Sequence, residues 1–107
     1  EKINNITIRL QTVTDLPSKD LRKLVDDGKK EIKEGIIIIF AKKDGKIGLA
    51  VGVTNKLTDK YDAVKFVKIG SEILGGKGGG GRSDFAQAGG MLENKIEDAF
   101  NKLKSLI

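Results

Sequence analysis

The amino-acid sequence predicts a single α/β domain in which a mixed β-sheet of about four strands is covered by helices. Three patterns indicate this class: polar and apolar residues alternate near the amino end, a β-branched run occupies the middle, and later segments repeat apolar residues at helical spacing. A chain of 107 residues is long enough for one hydrophobic core. We therefore treat residues 1–107 as one globular domain and expect it to have been excised from a longer protein.

The first elements are predicted to be a strand, a helix and a second strand. Residues 6–11 alternate apolar and polar side chains, as in a strand buried on one face. Pro17–Ser18 is typical of a helix start, and apolar residues then recur at helical spacing up to Gly35. Residues 36–40 are four isoleucines and a phenylalanine, which predicts a strand covered on both faces at the centre of the sheet.

The second half is predicted to continue as strand, helix, strand and helix. Asp44–Gly45 favours a hairpin turn before a strand over residues 47–54. Helical spacing marks residues 63–74 and 92–107, and a short strand is expected around residues 85–88. The predicted order is therefore β-α-β-β-α-β-α, with a right-handed crossover joining the first two strands.

The composition excludes several classes of function. The chain has no cysteine and no histidine, so it lacks the commonest soft metal ligands, thiol nucleophiles and neutral-pH general bases. We therefore predict no catalytic residue and no metal site. No apolar run approaches the roughly 18 residues of a membrane span, and the amino end does not resemble a signal peptide. We expect a soluble, cytoplasmic protein with no membrane partner.

The charge is positive and unevenly placed. Twenty Lys and Arg against fifteen Asp and Glu give +5. Residues 36–55 carry +2 (three Lys against one Asp), and residues 56–82 carry +3 (five Lys and one Arg against three acidic residues). This excess favours a polyanionic partner, although a mild basic surplus is also common as solubility charge.

A dense glycine run follows the second predicted helix. Six of the seven residues at 75–81 are glycine. Gly75 alone would be an ordinary helix C-cap, whereas the others imply a backbone that bends sharply or lets a ligand come close. Consecutive N–H groups can form an anion-binding concavity, to which Lys77 and Arg82 would add charge. We predict a phosphate-binding loop; the alternative is a flexible linker. The spacing fits neither a P-loop nor a dinucleotide fingerprint.

Residues 75–90, GGKGGGGRSDFAQAGG, resemble the signature of the DHHA1-type C-terminal domain of alanyl-tRNA synthetases. Phosphoesterases of the DHH superfamily share this domain more distantly. The β-α-β-β start also fits the family. Lys77 interrupts a run that is usually all glycine, Ser83 stands where proline is common, and the usual Asp-Pro before the last helix is absent. The phosphoesterases usually carry a histidine after their glycines, so Arg82 points to the synthetase branch.

The resemblance implies a non-catalytic module that contacts the outer corner of alanine-specific tRNA. Its expected partners are the tRNA and the aminoacylation and editing domains of a parent alanine–tRNA ligase. The parent's ATP, magnesium and editing-domain zinc are expected to lie outside this chain. The alternatives are the substrate-binding domain of a DHH phosphoesterase, a general single-stranded nucleic-acid or DNA-binding module, and a homodimer formed through the closing helix.

The candidate nucleic-acid contacts lie in the glycine run, the hairpin and the second helix. They are Gly76, Lys77, Gly78, Gly79, Gly80, Gly81, Arg82, Ser83, Gln87, Lys42, Lys43, Lys46, Lys65 and Lys68. Each has a structural alternative. Arg82 can hold a phosphate or pair with Asp84, Gln87 is expected to satisfy a neighbouring backbone group, and Lys68 can pair with Glu72 along the helix. For the hairpin lysines, a solvated tip is favoured over a nucleic-acid contact.

Overall fold

The computed structural model of the chain describes residues 2–3, 5–16, 20–76 and 78–107. Within these ranges the elements are β1 Lys2–Ile3, β2 Ile6–Thr14, α1 Leu21–Ile32, β3 Gly35–Lys43, β4 Lys46–Val53, α2 Ala63–Ile73, β5 Gly78–Arg82, β6 Phe85–Gly90 and α3 Ile96–Ser105. Short 3-10 turns at Asn55–Leu57 and Glu93–Lys95 precede α2 and α3. The predicted α/β class is confirmed.

The strands form one mixed sheet in the order β1-β2-β3-β4-β6-β5. Strands β2 and β3 are parallel and are joined by α1, whereas all other neighbours are antiparallel. The hairpin between β3 and β4 turns at Asp44–Gly45, as predicted, and both residues have positive φ. None of the helices in the described residues is both long enough and apolar enough to cross a membrane.

Strand β3 divides the core into two layers. Its residues Ile36, Ile38 and Phe40 pack with α2 and α3, and the intervening residues pack with α1 on the other face. All are at most 3% exposed. The prediction of a strand covered on both faces is therefore confirmed. The apolar stripe of α3, proposed above as a dimer contact, packs on the first of these layers.

The predicted strand count was wrong, because the described part of the sheet has six strands. Strand β1 has only two residues and so shows no alternation. Strand β5 contains Gly78–Gly81 of the glycine run, which the sequence indicated as a loop. Strand prediction depends on side-chain patterns, and glycine has none and is depleted in strands. The closing helix also begins later than predicted, at Ile96. The predicted helix start at Pro17–Ser18 lies outside the described residues.

The glycines allow β5 to lie unusually close to β6. A Cβ built on Gly79 would overlap the carbonyl oxygen of Gln87, and one on Gly81 would overlap that of Phe85. Gly81 also has a φ of 153°. A Cβ on Gly80, in contrast, would meet no atom within 4 Å. The run is therefore required for strand packing at alternate positions and leaves the position between them open.

The end of α2 is fixed to both glycine-rich strands. Gly75, with φ 77°, ends the helix, and its N–H donates to the Glu72 carbonyl (3.2 Å), while the Gly76 N–H donates to the Ser71 carbonyl (2.8 Å). The predicted C-cap is thus confirmed. The buried Ser71 hydroxyl donates to the Gly89 carbonyl (2.6 Å) and accepts from the Gly78 N–H (3.0 Å). One side chain therefore joins α2 to β5 and β6.

We expect alanine to destabilise the domain at Gly79 but not at Gly80. Gly79→Ala should lower the free energy of unfolding by about 1–3 kcal/mol, because the added methyl forces β5 away from β6. Gly80→Ala should change it by less than about 0.5 kcal/mol, since the methyl points into open space. Urea unfolding of the two variants checks this. Equal losses at both positions would contradict the close approach of the strands.

Candidate nucleic-acid interface

A groove of about 670 Å³ opens at the end of the sheet where the β3–β4 hairpin lies. Its walls come from four places: Leu16 after β2, the hairpin with the adjoining strand ends, the connection from α2 to β5, and the end of β6. It brings together Lys43, Lys46, Gly76 and Gly78, four of the candidate contacts, although they are up to 35 residues apart in sequence. Asp44, at the hairpin tip, is also in its lining.

The floor of this groove is almost free of side chains. Gly48, Gly89 and Gly78 are paired across β4, β6 and β5, and all three line the groove. Residues paired directly across strands share a face, so the three glycines form one row about 10 Å wide at the usual strand spacing. A ligand can approach the backbone itself along this row. We call it the glycine face, together with Gly80 in the next row.

The hairpin lysines do not behave alike. Lys43 and Lys46 are exposed and line the groove, whereas Lys42 is half-buried within β3, opposite Ile47, and does not line it. The two exposed lysines therefore add positive charge to one end of the glycine face, with Asp44 offsetting part of it.

Arg82 and Ser83 lie at the other end of β5. Arg82 is four positions after Gly78, which is about 13 Å along a strand. Arg82 and Ser83 therefore do not line the groove. Gly79–Gly81 connect the two ends along the edge of the sheet. Gln87 is half-buried in β6, where it is paired with Gly80.

Lys65 and Lys68 are exposed on α2, which packs on the face of the sheet opposite α1. The ion pairs among the described residues do not include the anticipated one between Lys68 and Glu72. Lys77 lies outside the described residues. The structure thus separates the helix lysines from the groove.

The turn between β5 and β6 is held by backbone and lysine donors. The Ser83 carbonyl accepts from the Ala63 N–H (3.0 Å). The Asp84 carbonyl accepts from the Val53 N–H (2.9 Å) and from Lys29 Nζ (2.6 Å). Arg82 pairs with the Asp84 carboxylate at 3.5 Å, yet its side chain is 68% exposed. An exposed pair of this kind stabilises the fold by about 1 kcal/mol at most. The guanidinium therefore remains accessible to a ligand.

Two cations of α1 join this turn, and the sequence analysis missed both. The Arg22 guanidinium lies 5.0 Å from the centre of the Phe85 ring and 3.8 Å from the Asp26 carboxylate. The Lys29 stem packs against Gly52, where a side chain would collide with it. Burial lowers the pKa of Lys29, and the nearby Asp84 carboxylate opposes that shift. The helical spacing of these cations was visible in the sequence. The contact between Lys29 and Asp84 was not, because the two residues are 55 positions apart in the chain.

Lys29 should make stability depend on pH in the alkaline range. Its pKa in the folded chain lies below the 10.5 of a free lysine, so between these two values the unfolded chain binds more protons and stability rises with pH. Relative to Lys29→Met, the wild type should therefore gain free energy of unfolding as the pH rises toward 10.5. Urea unfolding across this range checks the sign. The control is Lys30→Met, at the exposed neighbouring lysine. A difference in free energy of unfolding between wild type and Lys29→Met that shrinks as the pH rises would contradict the lowered pKa of Lys29.

Comparison with known proteins agrees with the resemblance found in the sequence. The chain matches the DHHA1 domain family over residues 5–107. It is 44% identical over 105 residues to the alanine–tRNA ligase of Paramagnetospirillum magneticum, covering 98% of this chain and 12% of that protein. It is 48% identical over 99 residues to the alanine–tRNA ligase of Bradyrhizobium diazoefficiens, covering 92% of this chain and 11% of that protein. The chain thus spans only a small part of these relatives.

The fold is also found in a solved structure. The crystal structure of the C-Ala domain from Aquifex aeolicus alanyl-tRNA synthetase matches with a TM-score of 0.92 and 30% identity, over 99% of this chain and 95% of that one. Sequence and structure therefore agree over nearly the full length. The chain belongs to the DHHA1 domain family, in the group formed by the C-Ala domains of alanyl-tRNA synthetases.

Proposed function

We propose that this domain is the tRNA-binding part of an alanine–tRNA ligase and holds the outer corner of alanine-specific tRNA. In this role it supports aminoacylation and editing, which other domains of the parent carry out. The chain itself performs no chemistry, and the ATP, magnesium and zinc of the parent belong to those other domains. The relatives, which are alanine–tRNA ligases, support this assignment.

The observation that carries the proposal is the groove in which Lys43 and Lys46 stand beside the glycine face. A phosphate group can come close to the backbone there, because the glycine row carries no side chains, and the two ammonium groups neutralise its charge. Contacts of this kind supply most of the non-specific affinity for nucleic acids. The groove thus combines close approach with positive charge.

The aromatic residues support recognition by shape instead of by base stacking. Tyr61, the only tyrosine, is half-buried and stacks on Phe66 with ring centres 6.2 Å apart. Phe40 and Phe100 form an edge-to-face pair inside the first core layer. Phe85 lies under Arg22. These rings therefore pack within the domain, and the proposed RNA contacts are to phosphate and sugar.

Titration of labelled tRNA at increasing salt tests the charge contacts. The logarithm of affinity should fall linearly with the logarithm of salt concentration. Lys43→Gln with Lys46→Gln should lower the magnitude of that slope by about 1.5–2, because two phosphate contacts are lost. The control is Lys102→Gln with Lys104→Gln on α3, which removes the same charge from a helix on the opposite face. An absence of binding at low salt would refute the proposal.

Gly80→Leu tests the glycine face independently of charge. The position has open space around it, so the fold should tolerate the larger side chain, but the side chain would keep an RNA backbone away from β5. We expect tRNA affinity to fall by about tenfold or more, equivalent to about 1.4 kcal/mol, with an unchanged midpoint of thermal unfolding. Normal affinity in this variant would show that the RNA does not approach the strand.

A further inference from the structure

A second positively charged depression lies at the opposite end of the sheet from the groove. It has a volume of about 430 Å³ and forms between the end of α1 and the segment after β4. Its lining consists of Lys29, Lys30, Lys33, Glu34, Thr54, Asn55 and Lys56. We call it the lysine cleft. Four lysines against one glutamate give it a net charge of +3.

Helix stability explains only part of this charge. Lys29 and Lys30 occupy the last turn of α1, where a cation beside the exposed carbonyls stabilises a helix by about 0.3–1 kcal/mol. Lys56 belongs to a different element, the 3-10 turn after β4, and faces the same cleft. Among the described residues, the surface ion pairs include none of Lys30, Lys33 and Lys56. None of these three lysines therefore has its charge offset by a carboxylate in one of those ion pairs.

The backbone around the cleft is fixed by hydrogen bonds. The Thr54 hydroxyl, 8% exposed as a residue, accepts from the Gly35 N–H at 2.9 Å. The Thr54 N–H donates to the Gly35 carbonyl at 3.1 Å, and the Leu57 N–H donates to the Thr54 carbonyl at 2.9 Å. The start of β3, which follows α1 closely in the chain, and the segment carrying Lys56 are thereby held together. The lysines are thus presented by a fixed backbone.

The cleft and the groove lie at two ends of the same strand. Lys46, in the groove, begins β4, and Thr54, in the cleft, directly follows it. Lys46 and Thr54 are eight positions apart along the chain, which is about 26 Å in a strand. The exposed Arg82 lies at the cleft end of the glycine strand, beside the turn to which Lys29 is bonded. Cations therefore stand at both ends of the sheet, with the glycine face between them.

We infer that the lysine cleft is a second phosphate-binding contact for the same nucleic acid that occupies the groove, so that one RNA runs the length of the sheet. The inference rests on the proposed function. Measured along the axis of a B-form duplex, each strand carries a phosphate about every 3.4 Å, so a span of about 26 Å corresponds to about eight base pairs. A shorter helix can reach only one of the two contacts.

The test uses two labelled RNA hairpins, with stems of about five and about twelve base pairs, chosen to lie below and above that span. The variant is Lys30→Gln with Lys56→Gln in the 107-residue chain. Lys29 is retained because it bonds to Asp84, and Lys33 because its φ is 65°. Lys102→Gln with Lys104→Gln is the control, since it removes two lysines, both in the last turn of another helix.

With the longer hairpin, the cleft variant should lower the magnitude of the salt slope by about 1.5–2 relative to wild type and control. With the shorter hairpin, which is expected to occupy the groove, the slope should stay at the wild-type value. An unchanged slope for the longer hairpin would overturn the inference. So would an equal loss with both hairpins, because the cleft would then belong to a single short contact.

The outcomes also separate this inference from the proposed function. If the wild type binds tRNA and the Lys43 and Lys46 substitutions weaken binding, but the cleft substitutions leave the longer hairpin unaffected, only the inference fails. If the wild type binds neither tRNA nor either hairpin at low salt, both fail. A lower midpoint of thermal unfolding with wild-type slopes would assign Lys30 and Lys56 to helix stability and reject the inference.

Discussion

The close pairing of β5 with β6 is the constraint on which the rest of this domain depends. It requires glycine where a Cβ would overlap the partner strand, as at Gly79 and Gly81. Glycine loses more conformational entropy on folding than any other residue, so a strand of four glycines needs anchors. Ser71 bonds to both strands at one end, and the Asp84 carbonyl accepts two hydrogen bonds at the other. Gly78–Gly81 thus form an edge strand and not a linker.

This packing determines what the surface offers. The strand has no side chains until Arg82, so the backbone groups of the glycine face are within reach of a ligand. The same absence leaves cation placement to other elements: the hairpin at one end and α1 at the other. Lys29 contributes both to packing and to the charge at this edge. Its stem covers Gly52, while its ammonium holds the β5–β6 turn. The electrostatics of the edge and the packing of α1 therefore cannot vary independently.

The sequence predicted the parts whose side chains carry a pattern. Residues 36–40 were recognised as an unbroken apolar run, and the stripe of α2 by its helical period. Strand β5 was missed because a period-two pattern needs side chains that alternate, and glycine has none. The meeting of Lys43 and Lys46 with Gly76 depends on pairing β4 with β6, and the contact of Lys29 with Asp84 depends on helix packing. Neither follows from local spacing.

A surface of this kind selects its partner by geometry. Phosphate contacts fix the register and orientation of a nucleic acid but carry no sequence information by themselves. In the described residues, Tyr61 stacks on Phe66 and Gln87 is half-buried, so the side chains best suited to reading bases are engaged within the domain. If the domain binds tRNA as proposed, it distinguishes the folded molecule by the spacing of its phosphates across the sheet. Sequence identity must then be read by other parts of the parent synthetase, and this domain serves to position the RNA for them.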